Sequence, residues 1–257
     1  MKFWKKASLA LGLGLALQGV AQAGPLVEIW DYVFDSNWSD AAPAADVTIS
    51  GDLHTLSWGI PVGGTQSTLQ IVVPTLATQV TTNGAAADGS LLEHNNQVIT
   101  GNALSSAVLG SSIMFSPFFP TPGGALPTFM IDSKILFTET LNAPPCAVSA
   151  SAVPCDDFFV LQEIAPQTVS FNFDGNSYAV DIFPSLTLGV TALEPSACIA
   201  AGIASGVCVG FSTEEGKTTP MQLAFSVTGT KIPEPGSLAL LGLGLVGLVA
   251  ARRRQQR

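Results

Sequence analysis

"TVSFNFDGNSYAVDI", Thr168–Ile182, holds two runs of alternating residues on either side of an Asp-Gly pair. Val169, Phe171 and Phe173 alternate with Thr168, Ser170 and Asn172, and beyond Asp174-Gly175 the apolar members are Tyr178, Val180 and Ile182. A period of two places successive side chains on opposite faces of an extended chain. Asp-Gly supplies the two positive-φ positions that a two-residue hairpin turn requires. The stretch therefore reads as a β-hairpin with one apolar face.

The same pattern recurs on both sides of it. In "FMIDSKILFT" (129–138), Phe129, Ile131, Ile135 and Phe137 share a face opposite Asp132, Lys134 and Thr138, and "MQLAFSVTGT" (221–230) repeats it with Met221, Leu223, Phe225 and Val227. Looser versions lie around 27–34, 46–50, 53–58, 67–73, 107–115 and 158–164. Short strands with one apolar and one Ser/Thr-rich face, separated by Gly, Pro and Asn, predict antiparallel sheets packed face to face. The expected fold is all-β, a single β-sandwich or jelly-roll-like domain. No apolar period of 3.6 persists through this body, and no fixed-length repeat argues for a solenoid or propeller.

Both ends of the chain differ from that body. Residues 1–23 combine a positive start (Lys2, Lys5, Lys6), an apolar run "SLALGLGLAL" and the small-x-small triplet Ala21-Gln22-Ala23, the organisation of a cleaved signal peptide that would leave Gly24 first. At the other end "GSLALLGLGLVGLVAA" (236–251) carries no charge over 16 residues and is followed by Arg252, Arg253, Arg254 and Arg257. As a helix it would extend roughly 24 Å, short of the ~30 Å hydrocarbon core, so that it would span with thinning of the bilayer or snorkelling of the arginines. By the positive-inside rule those arginines stop transfer and stay cytoplasmic. Pro233-Glu234-Pro235, just before the apolar run, keeps the chain extended, because each proline fixes φ and resists helix. The domain reading is thus a signal peptide over 1–23, an exported β domain over 24–230, and a terminal segment over 231–257.

Charge narrows the partners. Of the 19 acidic residues 18 lie between 24 and 232, against three cations there, Lys134, Lys217 and Lys231. A nucleic-acid partner is excluded on this reading, since phosphate neutralisation needs clustered Lys and Arg.

The four cysteines form two local pairs in sequence, Cys146 with Cys155 and Cys198 with Cys208. Export permits disulfides. Four cysteines allow three connectivities; the two nearest-neighbour loops are expected, each cross-linking a Ser/Ala/Gly-rich stretch and contributing about 2–3 kcal/mol at most. The separations are too wide for a four-cysteine zinc site.

Catalytic and metal motifs are sparse. His54 and His94 are the only histidines, no G-x-S-x-G elbow accompanies them, and each is expected to be a polar strand residue hydrogen-bonded at a sheet face or edge. Asp156-Asp157 and Glu214-Glu215 lack the spacing of a calcium loop, and adjacent side chains diverge on a strand, so they read as solvated loop acids. A single calcium assembled from several loops stays open. No catalytic residue, cofactor or metal ligand is assigned. Trp30, Trp38 and Trp58, if exposed, would be the aromatics for a carbohydrate-binding module.

PEP followed by a short apolar helix and an arginine cluster resembles the PEP-CTERM sorting signal of Gram-negative bacteria, over about the last 25 residues. The resemblance implies recognition and cleavage by an exosortase, a membrane-embedded cysteine transpeptidase-like enzyme, and final release or re-anchoring at the cell surface or in an exopolysaccharide matrix. Within the body, "SWGIPVGGTQSTLQI" (57–71), "EHNNQVITG" (93–101), the hairpin and "CIAAGIASGVCVGFSTEEGKTT" (198–219) resemble the subgroup of PEP-CTERM proteins defined by a T-H-x-N motif. His94 and Asn96 match that motif, whereas Glu93 stands in place of Thr and Val98 where Pro is frequent. The subgroup implies no activity. The reading is an exported, non-enzymatic surface or matrix protein of the biofilm kind; an exopolysaccharide-binding module is the alternative and a secreted hydrolase the less favoured one.

Overall fold

The structure, a computed structural model, describes residues 24–72, 78–148, 151, 153–161, 167–185 and 190–232, together with Gly244, Leu248 and Arg252. Residues 1–23, where a signal peptide is expected, and Pro233-Glu234-Pro235 lie outside the described residues. Among the described residues of the body there are sixteen strands and one short helix: β1 (Ile29–Ala42), β2 (Val47–Ile49), β3 (Thr55–Trp58), β4 (Ile60–Pro61), β5 (Ser67–Val72), β6 (Thr78–Thr81), β7 (Ala87–Asn95) and β8 (Ile99–Thr100) in the first half. The second half holds β9 (Ser106–Phe119), β10 (Phe129–Thr138), β11 (Asp157–Leu161), β12 (Gln167–Phe173), β13 (Asn176–Pro184), β14 (Thr191–Ala192), α1 (Pro195–Ala200), β15 (Val209–Thr213) and β16 (Thr218–Lys231).

Two seven-stranded sheets result, one ordered β14-β15-β11-β10-β9-β1-β6 and the other β12-β13-β16-β7-β5-β3-β2, with β4 and β8 as a separate pair. Every pairing is antiparallel. Alternation supplies each sheet with one apolar face, and the two faces close on each other. One core cluster joins Trp38, Leu109, Ile135, Phe137 and Phe159 of the first sheet to Trp58, Leu69, Leu92 and Met221 of the second. A second joins Trp30, Tyr32, Phe34, Ile113 and Phe115 to Tyr178, Val180, Phe225 and Val227. This is the all-β, antiparallel, face-to-face arrangement that the alternating segments predict.

The hairpin forms as expected. β12 and β13 pair from Gln167↔Ile182 to Phe173↔Asn176, and the two turn residues Asp174 and Gly175 have φ of 48° and 74°. Both disulfides follow the nearest-neighbour pairing, Cys146–Cys155 and Cys198–Cys208. The second starts within α1, a helix of 6 residues that the absence of a helical period did not predict; Pro195 at its start and the buried Ala197 and Cys198 hold it.

Trp30 anchors the second cluster. Its ring is fully buried and meets Phe115, Phe171, Phe173 and Tyr178 edge-on at centroid distances of 5.1–5.8 Å, while its indole N–H donates to Thr82 Oγ1 at 3.0 Å. Edge-on rings place a positive rim against a negative face, adding to the area buried. Trp38 and Trp58 are equally buried. The three tryptophans are therefore core residues, each at an inward position of its strand, and the condition of exposure under which they would serve a carbohydrate-binding module is not met. Trp30→Ala should lower the stability to urea by about 3–5 kcal/mol, whereas Met130→Ala, at an exposed position, should change it by no more than about 0.5 kcal/mol.

Candidate functional site

At one end of the sandwich the facing side chains turn from apolar to polar. The end of β10, the start of β11 and the end of β15 meet there from one sheet, and the end of β7 and the start of β16 from the other. β15 lies close on β11 because residue 210 is glycine: a Cβ built there would fall 1.9 Å from the Phe159 carbonyl oxygen. That close register sets Asp157 opposite Thr213. In the second sheet His94 pairs with Thr219 on β16 and with Leu69 on β5.

Inward alternation brings His94 and Asn96 to this place. Leu92, His94 and Asn96 are buried, while Glu93 and Asn95 face outward and are only partly covered. The segment is thus strand through Asn95, and His94 is a strand residue as expected. Its ring lies parallel to Trp58 at 5.5 Å and edge-on to Phe137 and Phe159. Burial drops its pKa to about 3, so the imidazole is neutral. Thr213 Oγ1 stands 3.0 Å from His94 Nδ1 and donates to the Asp157 carbonyl oxygen at 3.4 Å. A hydroxyl that gives its proton to a carbonyl must accept from the imidazole, which fixes the proton on Nδ1. Asn96 Nδ2 donates to the Thr213 carbonyl oxygen at 3.1 Å and lies 3.4 Å from its hydroxyl.

Beyond this platform lie three carboxylates. Glu139 follows β10, Asp157 opens β11, and Glu215 sits in the turn from β15 to β16; a ligand-capable oxygen of each lies within 4.8 Å of the others. Asp157 is fully buried. One of its oxygens, Oδ1, accepts from the Thr140 backbone N–H at 2.7 Å and from Thr140 Oγ1 at 3.2 Å, and Thr140 Oγ1 also donates to the Cys155 carbonyl at 2.9 Å. The Cys146–Cys155 loop is thereby tied to the cluster. Glu215 Oε1 accepts from Asn142 Nδ2 at 2.9 Å. Its turn is held to Asn96 by two backbone bonds, Gly216 N–H to the Asn96 carbonyl at 3.0 Å and Asn96 N–H to the Lys217 carbonyl at 2.9 Å.

Electrostatics follow from that crowding. Burial, reinforced by Asp157 and Glu215, pushes Glu139 up to about 9, and burial pushes Asp157 up to about 7 against the opposing hydrogen bonds from Thr140. Among the described residues no lysine or arginine pairs with the three acids; the only ion-pair contacts run from His54 to Asp35 and Asp52.

Asp157 and Glu215 correct the reading of both acidic pairs as solvated. Alternation sends Asp156 and Glu214 outward and their neighbours inward, so one acid of each pair is covered. Glu139, Thr140, Asn142 and Thr213 were not marked by sequence. Glu139 alone could have been, as an acid two positions beyond the inward Phe137.

Other sequence-marked residues stay apart from this site. His54, partly exposed, lies 4.0 Å from Asp35 and 3.8 Å from Asp52. Among the described residues no serine hydroxyl is bonded to the imidazole of either histidine. Of the four arginines, Arg252 is helical and exposed, as are Gly244 and Leu248; Arg253, Arg254 and Arg257 lie outside the described residues. Among the described residues no helix is long and apolar enough to cross a membrane.

Thr213→Val keeps the shape and removes the hydroxyl, leaving the His94 Nδ1–H without an acceptor. It should cost about 1–3 kcal/mol in urea unfolding, against no more than about 0.5 kcal/mol for Ser212→Ala on the opposite face.

A search of curated proteins finds no match to the chain. The family model of the PEP-CTERM protein-sorting motif matches residues 231–254, a span that holds Pro233-Glu234-Pro235 and Arg252 to Arg254. That motif implies processing by an exosortase, a membrane protein, and an exported, membrane-anchored precursor in a Gram-negative bacterium. The match begins in the last residue of β16, and the chain carries the PEP-CTERM sorting motif over residues 231–254.

Proposed function

We propose that this is a non-enzymatic β-sandwich protein, cleaved at its tail by an exosortase and then held at the cell surface or in the extracellular matrix. The observation that carries the reading is the sorting match over 231–254, joined without a spacer to a folded body. A non-enzymatic role is supported by the chemistry of the interior. Both cysteine pairs are closed as disulfides, which removes thiol nucleophiles. His94 is buried and neutral, with a threonine that already donates elsewhere as its partner. His54 has carboxylates near it and, among the described residues, no hydroxyl hydrogen-bonded to its ring. An exopolysaccharide is the expected surrounding of such a protein, and contact with it would use surface groups other than Trp30, Trp38 and Trp58.

The test is Pro233→Ala, Glu234→Ala and Pro235→Ala together, followed by fractionation of the host cell and intact mass. The wild type should end near 233–235 outside the inner membrane. The triple variant should remain full-length at its C-terminus in the inner membrane; normal release of that variant would overturn the reading.

A further inference from the structure

Donors from Thr140 and Asn142 reach one oxygen of Asp157 and one of Glu215, and further oxygens of the Glu139, Asp157 and Glu215 cluster are left over. Glu139 Oε2, Asp157 Oδ2 and Glu215 Oε2 are buried without a hydrogen-bond partner. Asn142 Oδ1 is buried and unpartnered as well, on an amide held against Glu215 by its own Nδ2. Fully buried Asn96, whose amide abuts Asp157 and is fixed by Thr213, likewise keeps Oδ1 without a partner. Buried oxygens in this number are costly unless something positive meets them, since each forfeits its hydration without replacement.

We infer that this end of the sandwich binds one hard divalent cation of the calcium class, held by the carboxylates of Glu139, Asp157 and Glu215 and the side-chain carbonyl of Asn142. The separation fits. Calcium takes oxygen ligands at about 2.3–2.6 Å, which sets oxygens on opposite sides of the ion about 5 Å apart; the three carboxylate oxygens lie within 4.8 Å of one another. Ligand type fits too, because carboxylate and amide oxygens suit hard ions, and the nearest imidazole presents Nδ1 to Thr213 rather than to the cluster. Magnesium demands a tighter octahedron and retains several waters, for which a buried cluster of protein oxygens is a poor host. An exported protein meets calcium at concentrations that match extracellular modules, with Kd of about 0.1–1 mM.

His94 and Asn96 acquire a positioning role on this reading. Neither is a ligand; through Thr213 they fix the strand that carries Asp157 and the turn that carries Glu215. The cation would then pin β10, β11 and the β15–β16 turn at a single point, which joins the ends of both sheets.

The test uses the full chain in detergent, stripped with EDTA and titrated with calcium chloride in a calorimeter and in thermal unfolding. One equivalent should bind with Kd of about 0.1–1 mM, and at ten times Kd the Tm should rise by about 3–6 °C. Glu139→Gln and Glu215→Gln should each weaken binding at least about tenfold, while Glu214→Gln, the exposed neighbour, should bind as the wild type does. Glu215 lies in a turn, so its variant decides the matter even where Glu139→Gln fails to fold. Absence of a calcium response in the wild type, or an unchanged response in Glu215→Gln, would overturn the inference. Neither result bears on processing of the tail, which the triple alanine variant tests separately.

Discussion

One buried hydroxyl, Thr213 Oγ1, joins the two sheets at the polar end of the sandwich. It accepts a hydrogen bond from His94 Nδ1 across the sandwich and donates one to the Asp157 backbone carbonyl on the neighbouring strand. In a low-dielectric interior such a bridge must be complete, because a missing partner leaves a desolvated donor or acceptor. Completion here depends on register. Asp157 opposite Thr213 and Thr219 opposite His94 are ladder pairs, and a slip of one residue in β7 or β15 would turn His94 or Thr213 outward and break the bridge. The Thr213 hydroxyl thus specifies which of several apolar-compatible registers the strands adopt.

The apolar strands were legible in the sequence, and the polar end was not, for one physical reason. β10, β12, β13 and β16 announce themselves because most of their inward positions are apolar. β7 does not: its inward positions include Ser90, His94 and, just past its end, Asn96. β15 is likewise obscured, with Gly210 allowing close approach and Thr213 inward. Residues that build the site are the same ones that erase the alternation by which strands are read. The T-H-x-N-like segment was visible only as a resemblance, and its neighbours Glu139, Asp157 and Glu215 are separated by 18 and 58 positions, a distance that only the sheet order closes. The tryptophans show the converse. Their type is compatible with core and with sugar platforms alike, and what decides is the strand face, which periodicity around Trp38 and Trp58 left unresolved.

The body and the tail obey different rules and were read with different success. The sorting segment is a linear signal whose meaning lies in order and composition, so it needs no fold to be read, and the family match at 231–254 agrees with that reading. The body is a packing solution whose function depends on residues brought together from three connections. Disulfides sit between these cases: adjacency in sequence and adjacency in space coincide for both pairs because each closes a short loop.

β16 also has a mechanical meaning. It is an interior strand of 14 residues, bonded to β7 along its first part and to β13 along its last. The sorting match starts at its final residue, Lys231, so whatever holds the tail pulls directly on this strand. Ladder bonds lie across the strand axis, and a pull along that axis loads many of them together in shear instead of opening them one by one. The carboxylate cluster sits beyond the other end of the same strand, about 45 Å away at roughly 3.3 Å per residue, so a body tethered through its tail presents that cluster at its far tip.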